Sequence, residues 1–198
     1  VTDINGDAYS DIIFFSKQGT YIYYSNGSSA YSSEFLIDNF CFDQGWSHST
    51  PRFVADLSGD NQPDLVGVGQ YGVVVNGSPL SSSIQTNHWI YGLGNDPLLG
   101  GYDFSSSTVI TGDLNGDGRS DLAGFGGDNC NILLSSGLCL LDPILIDDYT
   151  LENYDNNRHS VLCGNFIGNS ASEIIIFGEY AAEIIQISSS FGASPVSS

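Results

Sequence analysis

Four short segments of the chain place oxygen-bearing side chains at a fixed spacing. The clearest is residues 113–121, which read Asp-Leu-Asn-Gly-Asp-Gly-Arg-Ser-Asp. Oxygen-only ligands that include three carboxylates suit a hard cation such as Ca²⁺, which takes roughly six to eight oxygens. Three carboxylates so close together would repel one another without a cation between them. The segment therefore predicts a calcium-binding loop, with ligands at positions 1, 3, 5 and 9 and a backbone carbonyl at position 7: Asp113, Asn115, Asp117, Asp121 and Arg119.

Two more segments repeat this spacing, and a fourth keeps it with altered chemistry. The first predicted site is formed by Asp3, Asn5, Asp7, the carbonyl of Tyr9, and Asp11. The second is formed by Asp56, Ser58, Asp60, the carbonyl of Gln62, and Asp64. In residues 165–173, Ile167 replaces the position-3 oxygen and Asn169 replaces the position-5 carboxylate, so this loop is degenerate. We therefore predict three Ca²⁺ sites, with acidic surface turns that bind no metal as the alternative.

The residues after the third loop distinguish it from an EF-hand. An EF-hand carries Glu at position 12 and continues into a helix. Here position 12 is Gly124, and the residues around it show no helical periodicity. We expect a strand to follow the loop instead.

The spacing of the loops predicts a repeated β unit. The loops begin at residues 3, 56, 113 and 165, and two short apolar runs separated by a glycine or polar turn follow each one. Further apolar runs precede the loops, at 52–55, 108–111 and 160–163, and before those at 35–38 and 144–147. This pattern predicts an all-β fold of four propeller-blade-like repeats, each of about four antiparallel strands with a calcium loop between two of them. We interpret residues 1–198 as one domain with repeats at about 1–30, 31–83, 84–140 and 141–190 and a C-terminal tail at 188–198.

The charge of the chain limits its partners. The net charge is −19, from 23 acidic against 4 basic residues, which argues against nucleic acid and anionic membrane surfaces. No apolar run is long enough to span a membrane, and no secretory hydrophobic segment is visible. Calcium sites of modest affinity suit the millimolar calcium outside cells, so we predict an extracellular protein.

Two other sequence features bear on the compartment. Asn26 and Asn76 begin Asn-Gly-Ser sequons and are predicted glycosylation sites, although either could equally be a plain Asn-Gly turn. The four cysteines match no zinc motif and allow three pairings, between which the sequence does not choose; free buried thiols are the alternative. They are Cys41, Cys130, Cys139 and Cys163.

The loop motif followed by an apolar strand and Phe-Gly, as at Phe125-Gly126, resembles the FG-GAP/VCBS repeat of integrin-α-type β-propellers. This resemblance covers nearly the whole chain. Residues 45–75, with Gly45-Trp46 and Pro51-Arg-Phe-Val-Ala-Asp56, are more narrowly similar to repeats of Psathyrella velutina-type fungal lectins. The resemblance implies a calcium-stabilised propeller with sugar pockets between adjacent blades.

Three residues in the lectin-like stretch are the candidate ligand site: Trp46, His48 and Arg52. Tryptophan can stack on the apolar face of a sugar, and arginine can donate paired hydrogen bonds to its hydroxyls. The alternative is structural, with Trp46 packed between blades and Arg52 paired with a loop carboxylate. The positions equivalent to Trp46 and Arg52 are Asp103 and Val109 in the third repeat and Asp155 and Val161 in the fourth.

The sequence carries no recognised catalytic motif, and we predict that the protein is not an enzyme. His48, His88 and His159 are isolated from one another along the chain. One acidic cluster could bind a further ion, although a solvated loop is the simpler interpretation. It comprises Asp147, Asp148, Glu152 and Asp155.

The two ends of the chain suggest a function. The first repeat begins at its calcium loop without opening strands, and the tail at 188–198 has strand-compatible composition without a repeat of its own. The chain could be part of a longer one, or the tail could complete the first repeat of the same or of the next molecule. Our leading hypothesis is a secreted, self-assembling, filament-forming structural or adhesive protein, whose partners are copies of itself joined by strand addition or head-to-tail contact. The alternative is a calcium-dependent lectin of the Psathyrella velutina type, with glycans as partners.

Overall fold

The computed structural model describes residues 2–28, 31–37, 40–69, 72–77, 88–91, 108–126, 129–140, 144–146, 159–179, 182–188 and 192–195. Within these ranges the chain forms β-strands, turns and one short 3-10 helix, Phe42–Gln44, and contains no α-helix. The all-β prediction is confirmed. No helix in the described part of the chain is long and apolar enough to cross a membrane.

The strands form four antiparallel sheets, which we number in chain order. The first sheet contains β1 (Ile12–Phe15), β2 (Thr20–Ser25) and β3 (Tyr31–Ile37). The second contains β4 (Arg52–Ala55), β5 (Asp64–Gly69), β6 (Gly72–Asn76) and β7 (His88–Tyr91). The third contains β8 (Thr108–Gly112), β9 (Asp121–Gly126), β10 (Asn129–Leu133) and β11 (Ile144–Ile146). The fourth contains β12 (Ser160–Gly164), β13 (Glu173–Phe177), β14 (Ala182–Ser188) and β15 (Gly192–Pro195).

Each loop motif joins two neighbouring strands of one sheet, as the sequence predicted. The second loop follows β4 and leads into β5, so that Ala55 pairs with Asp64 across it. The third and fourth loops make the same connection, pairing Gly112 with Asp121 and Gly164 with Glu173. In the first sheet a single bridge between Thr2 and Asp11 takes this place.

The predicted repeat boundaries were wrong for the outermost strands. Residues 35–38 and 144–147 were assigned to the start of a repeat, yet β3 pairs with β2 and β11 pairs with β10. The described strands of the four sheets therefore span 12–37, 52–91, 108–146 and 160–195. The physical reason is the connection length, because a strand that follows its neighbour closely in sequence pairs with it most readily.

The C-terminal tail was also assigned wrongly. Gly192–Pro195 is β15, which pairs with β14 in the register Ile187 with Ala193 and Ile185 with Pro195. Proline is tolerated there because β15 is an edge strand. This stretch of the tail completes the fourth sheet, so it is not a spare segment.

The sheets stack face to face in chain order because their strands alternate apolar residues toward two neighbours. In the second sheet Leu65 packs with Ile22 of the first, whereas Val66 packs with Leu122 of the third. In the third sheet Phe125 packs with Ile174 of the fourth. Residues one and three places after each position-9 acid therefore face the preceding sheet, and residues two and four places after it face the following one.

Candidate functional site

All four loops have the same backbone turn, including the degenerate one. Their position-4 glycines, Gly6, Gly59, Gly116 and Gly168, have φ of 77°, 79°, 78° and 81°. A side chain at this φ would press Cβ against the backbone, which is why glycine is favoured. The shared turn places the other loop positions equivalently.

The position-1 side chain holds the turn closed through backbone amides. The carboxylate of Asp113 accepts hydrogen bonds from the N–H groups of Gly116 at 2.7 Å, Asp117 at 3.0 Å and Gly118 at 2.8 Å. Asp3 and Asp56 accept the equivalent three bonds in their loops.

The position-9 side chain is buried and joins the loop to the sheet. Asp121 is fully buried and accepts hydrogen bonds from the amides of Leu114 at 2.9 Å and Ser135 at 2.7 Å. Asp11 accepts the same pair, from Ile4 and Ser25. These bonds satisfy amides that would otherwise be buried without partners.

The fourth loop differs at its position-9 acid. Glu173 accepts bonds from Phe166 and Ile167 through Oε2 alone. Its Oε1 is buried and has no hydrogen-bond partner. The longer side chain thus uses only one of its oxygens.

Negative charge accumulates in the third loop. Burial, with the nearby charges of Asp117 and Asp113, raises the pKa of Asp121 to about 7. Arg119 pairs with Asp117 and donates its Nε–H to the carbonyl of Ser135 at 3.0 Å. A bound cation would relieve the repulsion among the three carboxylates.

The oxygen-bearing side chains of the first three loops are suitable ligands for calcium. In this structure, their position-1 and position-9 carboxylates accept hydrogen bonds from backbone amides instead. Among the described residues, no three acidic, histidine or cysteine side chains converge in an arrangement that could hold a metal ion. The three calcium sites, and the metal-ligand roles given to their residues, therefore stay predictions.

The loops of neighbouring sheets are hydrogen-bonded to one another in a row. The N–H of Ser120 at position 8 donates to the carbonyl of Asp56 at 2.7 Å, and that of Ser172 donates to Asp113 at 2.6 Å. The second loop has Pro63 at position 8, which has no N–H to donate to the first loop. The row thus links the second, third and fourth loops.

A cleft of about 470 Å³ lies between the first and second sheets, beside their loops. Of its lining residues, only Arg52 was among the ligand residues predicted from the sequence. Phe15 and Phe53 belong to apolar runs that were assigned to strands, and such a run does not show whether a residue faces a core or a cleft. The lining comprises Thr2, Ile13, Phe15, Arg52, Phe53 and Val54.

The guanidinium of Arg52 contacts backbone carbonyls and aromatic rings close to it. Its Nη1 donates to the carbonyl of Phe40 at 2.7 Å and its Nη2 to that of Ser47 at 2.9 Å. The guanidinium also lies over the rings of Phe15 and Phe42, at 4.8 and 5.0 Å from their centroids. Burial lowers the pKa of Arg52 from its usual range. Among the described residues, no loop carboxylate pairs with Arg52, and two of its N–H groups bond the carbonyls of Phe40 and Ser47 instead.

Trp46 and His48 lie in the same neighbourhood but do not line the cleft. Trp46 packs against Phe40 with ring centroids 5.1 Å apart, and its ring covers Gly67 of the second sheet. His48 is exposed and lies 4.3 Å from the ring of Phe42. The structural alternative for Trp46 agrees with this packing.

The two predicted glycosylation sites differ in accessibility. Asn26 lies exposed in the turn after β2. Asn76 is buried at the end of β6, with 5% of its surface exposed, which argues against a glycan at this position. Cys41, Cys130, Cys139 and Cys163 are all free thiols.

Some of the other predicted residues lie in parts of the chain that the structure does not describe. Asp147, Asp148, Glu152 and Asp155 lie outside the described residues, as does Asp103. His88 lies on β7 and His159 directly before β12, in different sheets.

Known proteins share this architecture. Residues 3–67 match the FG-GAP-like repeat family. The chain superposes with a TM-score of 0.81 and 27% identity on an Agrocybe aegerita lectin whose structure concerns the specific recognition of non-reducing terminal N-acetylglucosamine. The match covers 98% of this chain and 50% of the lectin, so the chain spans about half of that protein.

A second structure shares the fold alone. The Photorhabdus luminescens Tc holotoxin pore matches with a TM-score of 0.64 and 17% identity, over 92% of this chain and 8% of the toxin chain. No curated protein sequence matches significantly. The predicted resemblance is confirmed: the chain is similar to FG-GAP-like repeats over residues 3–67 and to a fungal lectin over almost its whole length.

Proposed function

We propose that this protein is an extracellular, non-catalytic carbohydrate-binding protein whose loops are stabilised by calcium. The observation that carries the proposal is the likeness to the Agrocybe lectin, at 27% identity across 98% of this chain. Fold alone does not determine function, so the proposal also needs a site of suitable chemistry.

The cleft between the first and second sheets supplies that site. Its volume of about 470 Å³ lies within the range of small-ligand pockets, roughly 300–1,000 Å³. Phe15 and Phe53 offer apolar ring surface, and Thr2 offers a hydroxyl. Arg52 uses one N–H of each terminal nitrogen on Phe40 and Ser47, which leaves further donors of its guanidinium for a sugar hydroxyl.

Calcium would act on this cleft through its flanking loops. Thr2 pairs with Asp11 at the end of the first loop, and Val54 immediately precedes the pair of Ala55 with Asp64. A cation bound to either loop would neutralise its carboxylates and fix the strand ends that border the cleft. The residues that would hold it are the predicted ligands of those two loops.

The hypothesis of filament formation has lost one of its supports. It was motivated in part by a spare C-terminal segment, and Gly192–Pro195 is paired within the fourth sheet. Strand addition by this segment would require it to leave β14. The lectin likeness therefore favours carbohydrate binding as the proposed function.

Calorimetric titration with an oligosaccharide ending in N-acetylglucosamine tests the proposal. We expect saturable binding that weakens about tenfold in Thr2→Val, which removes one hydrogen-bonding group while keeping the shape. Ser49→Ala, which removes an exposed hydroxyl outside the cleft lining, is the control and should bind as the wild type does.

A second variant separates the cleft from the rest of the surface. Phe53→Leu keeps an apolar residue but removes the ring, and we expect weaker binding with retained folding. Failure to bind any member of a broad glycan array would contradict the proposal. Binding that neither cleft variant changes would contradict the location.

A further inference from the structure

The first and fourth sheets each carry an apolar face that no other described sheet covers. On the first sheet, the opening face consists of Ile12, Phe14, Tyr23 and Tyr31, which surround a hollow of about 610 Å³. Ile12, Phe14 and Tyr31 are 41%, 53% and 53% exposed. Exposed large apolar side chains grouped on one face indicate an interaction surface.

The fourth sheet has an apolar face on the side away from the third sheet. Its closing face consists of Leu162, Ile175, Phe177 and Ile184. Leu162 and Phe177 are 53% and 42% exposed. These side chains alternate with Ile174, Ile176 and Ile185, which pack against the third sheet.

The internal junctions show which faces fit together. In the second, third and fourth sheets, the residue one place after the position-9 acid packs against residues two and four places after it in the preceding sheet, and the residue three places after it is Gly67, Gly124 or Ile176. Leu122 of the third sheet packs in this way with Val66 and Val68 of the second. The opening face has the residues that would face a preceding sheet, since Ile12 and Phe14 follow Asp11 by one and three places. The closing face has the residues that would face a following sheet, since Ile175 and Phe177 follow Glu173 by two and four places.

The loops provide a matching polar contact. At two junctions the position-8 amide donates to the position-1 carbonyl of the preceding loop, as Ser172 does to Asp113. At the two ends of the stack, the equivalent groups are the amide of Ser10 and the carbonyl of Asn165. Neither makes such a loop-to-loop bond within the described part of the chain.

We propose that a second copy of this chain docks head to tail, its opening face on the closing face of the first. The side chains of Leu162 and Phe177 enter the hollow around Phe14, and the amide of Ser10 donates to the carbonyl of Asn165 in the other copy. The contact keeps the register of the internal junctions, with Phe14 at the place of Gly67, Gly124 and Ile176.

A complementation experiment tests this contact. Phe14→Asp places a charge on the opening face alone, and Leu162→Asp places one on the closing face alone. Leu138→Asp is the matched control, because Leu138 is 83% exposed and lies on neither face. The mass of each protein is measured by light scattering after size exclusion over a dilution series, with circular dichroism to verify folding.

We expect the wild type and Leu138→Asp to associate, and each face variant alone to be a monomer. Mixing the two face variants should restore a one-to-one complex, because each retains the face that the other has lost. A monomeric wild type would overturn the proposal, as would face variants that keep the wild-type mass or fail to combine. Should either variant not fold, Tyr31→Glu and Phe177→Glu provide a second complementary pair.

Discussion

The third and fourth loops fold alike but differ in charge. Both turn at a position-4 glycine, Gly116 at a φ of 78° and Gly168 at 81°. In both, the position-1 side chain accepts the amide of that glycine at 2.7 Å, although it is Asp113 in one loop and Asn165 in the other. Of the three acids in the third loop, only the position-9 acid has a counterpart in the fourth.

The comparison separates the requirement for folding from the requirement for metal. Asn165 accepts one of the three backbone bonds that Asp113 accepts, and Asn169 accepts one as Asp117 does, so the turn forms with neutral acceptors at positions 1 and 5. A calcium ion needs negative charge as well, and only the third loop provides it. A conserved loop shape is therefore no measure of calcium binding in this protein.

The largest expected change in unfolding free energy comes from substitutions at position 5 of the two loops. Asp117 accepts the amide of Arg119 and Asn169 accepts that of Ala171, both at 2.9 Å. In chelator, Asp117→Ala and Asn169→Ala should each cost about 1 kcal/mol of unfolding free energy, because each loses one backbone hydrogen bond and the exposed side-chain bonds of Asp117 to Asn115 and Arg119 contribute little. With calcium at about 100 times its dissociation constant, Asp117→Ala should lose about 2.7 kcal/mol more.

Thermal unfolding of both variants with and without calcium provides the measurement. Asn169→Ala is the control, because its loop lacks the carboxylates. Equal shifts of the melting temperature in calcium would contradict the division into three sites and one degenerate loop.

A second prediction concerns position 9 without metal. Asp121→Ala in chelator should cost about 3 kcal/mol, because the amides of Leu114 and Ser135 lose their acceptor in a buried setting. Glu173→Ala should cost less, about 2 kcal/mol, since its two bonds are only part-buried. Urea unfolding at constant pH measures both values, and a larger loss for Glu173→Ala would reverse our interpretation.

The row of loops gives a smaller effect. Ser120→Pro removes the amide that donates to Asp56, and Pro63 shows that the second loop accepts proline at the same position. We expect a loss of about 1 kcal/mol in urea unfolding. Ser10→Pro, at the same position of the first loop, is the control and should change the stability of the monomer little.

The smallest effect is a stabilisation. Ala8 has a φ of 68° at position 6, where the third loop has Gly118 at 87°. Ala8→Gly should relieve this strain and raise the unfolding free energy by about 0.5 to 1 kcal/mol, less any cost of added chain flexibility. Gly118→Ala should shift the melting temperature in the opposite direction, and a destabilised Ala8→Gly would show that the strain is absent.

The loops and the β class followed from the sequence because both have local signals. The nine-residue spacing of oxygen-bearing residues predicts each loop, and short apolar runs around glycine turns predict the strands. The sheet to which β3 and β15 belong depends on pairing, which a run of apolar residues does not encode by itself. For the same reason, the cleft residues Phe15 and Phe53 could not be distinguished from core residues, because both stand in apolar runs of strands.

Arg52 illustrates what sequence chemistry can and cannot assign. Its residue type and its place in the lectin-like stretch made it a candidate ligand residue, and it lines the cleft. Its partners are backbone carbonyls of Phe40 and Ser47, and a carbonyl acceptor leaves no trace in a sequence. Trp46 was selected by type as well, although the small Gly67 opposite it makes room for an internal packing contact.

Calorimetric titration of the metal-free protein with calcium tests the central claim most directly. We predict three bound ions for the wild type, two for Asp117→Asn, which preserves the hydrogen-bond acceptor of the turn while removing its charge, and three for Asn169→Ala. No detectable binding by the folded wild type would contradict the account, and so would a stoichiometry that Asp117→Asn leaves unchanged.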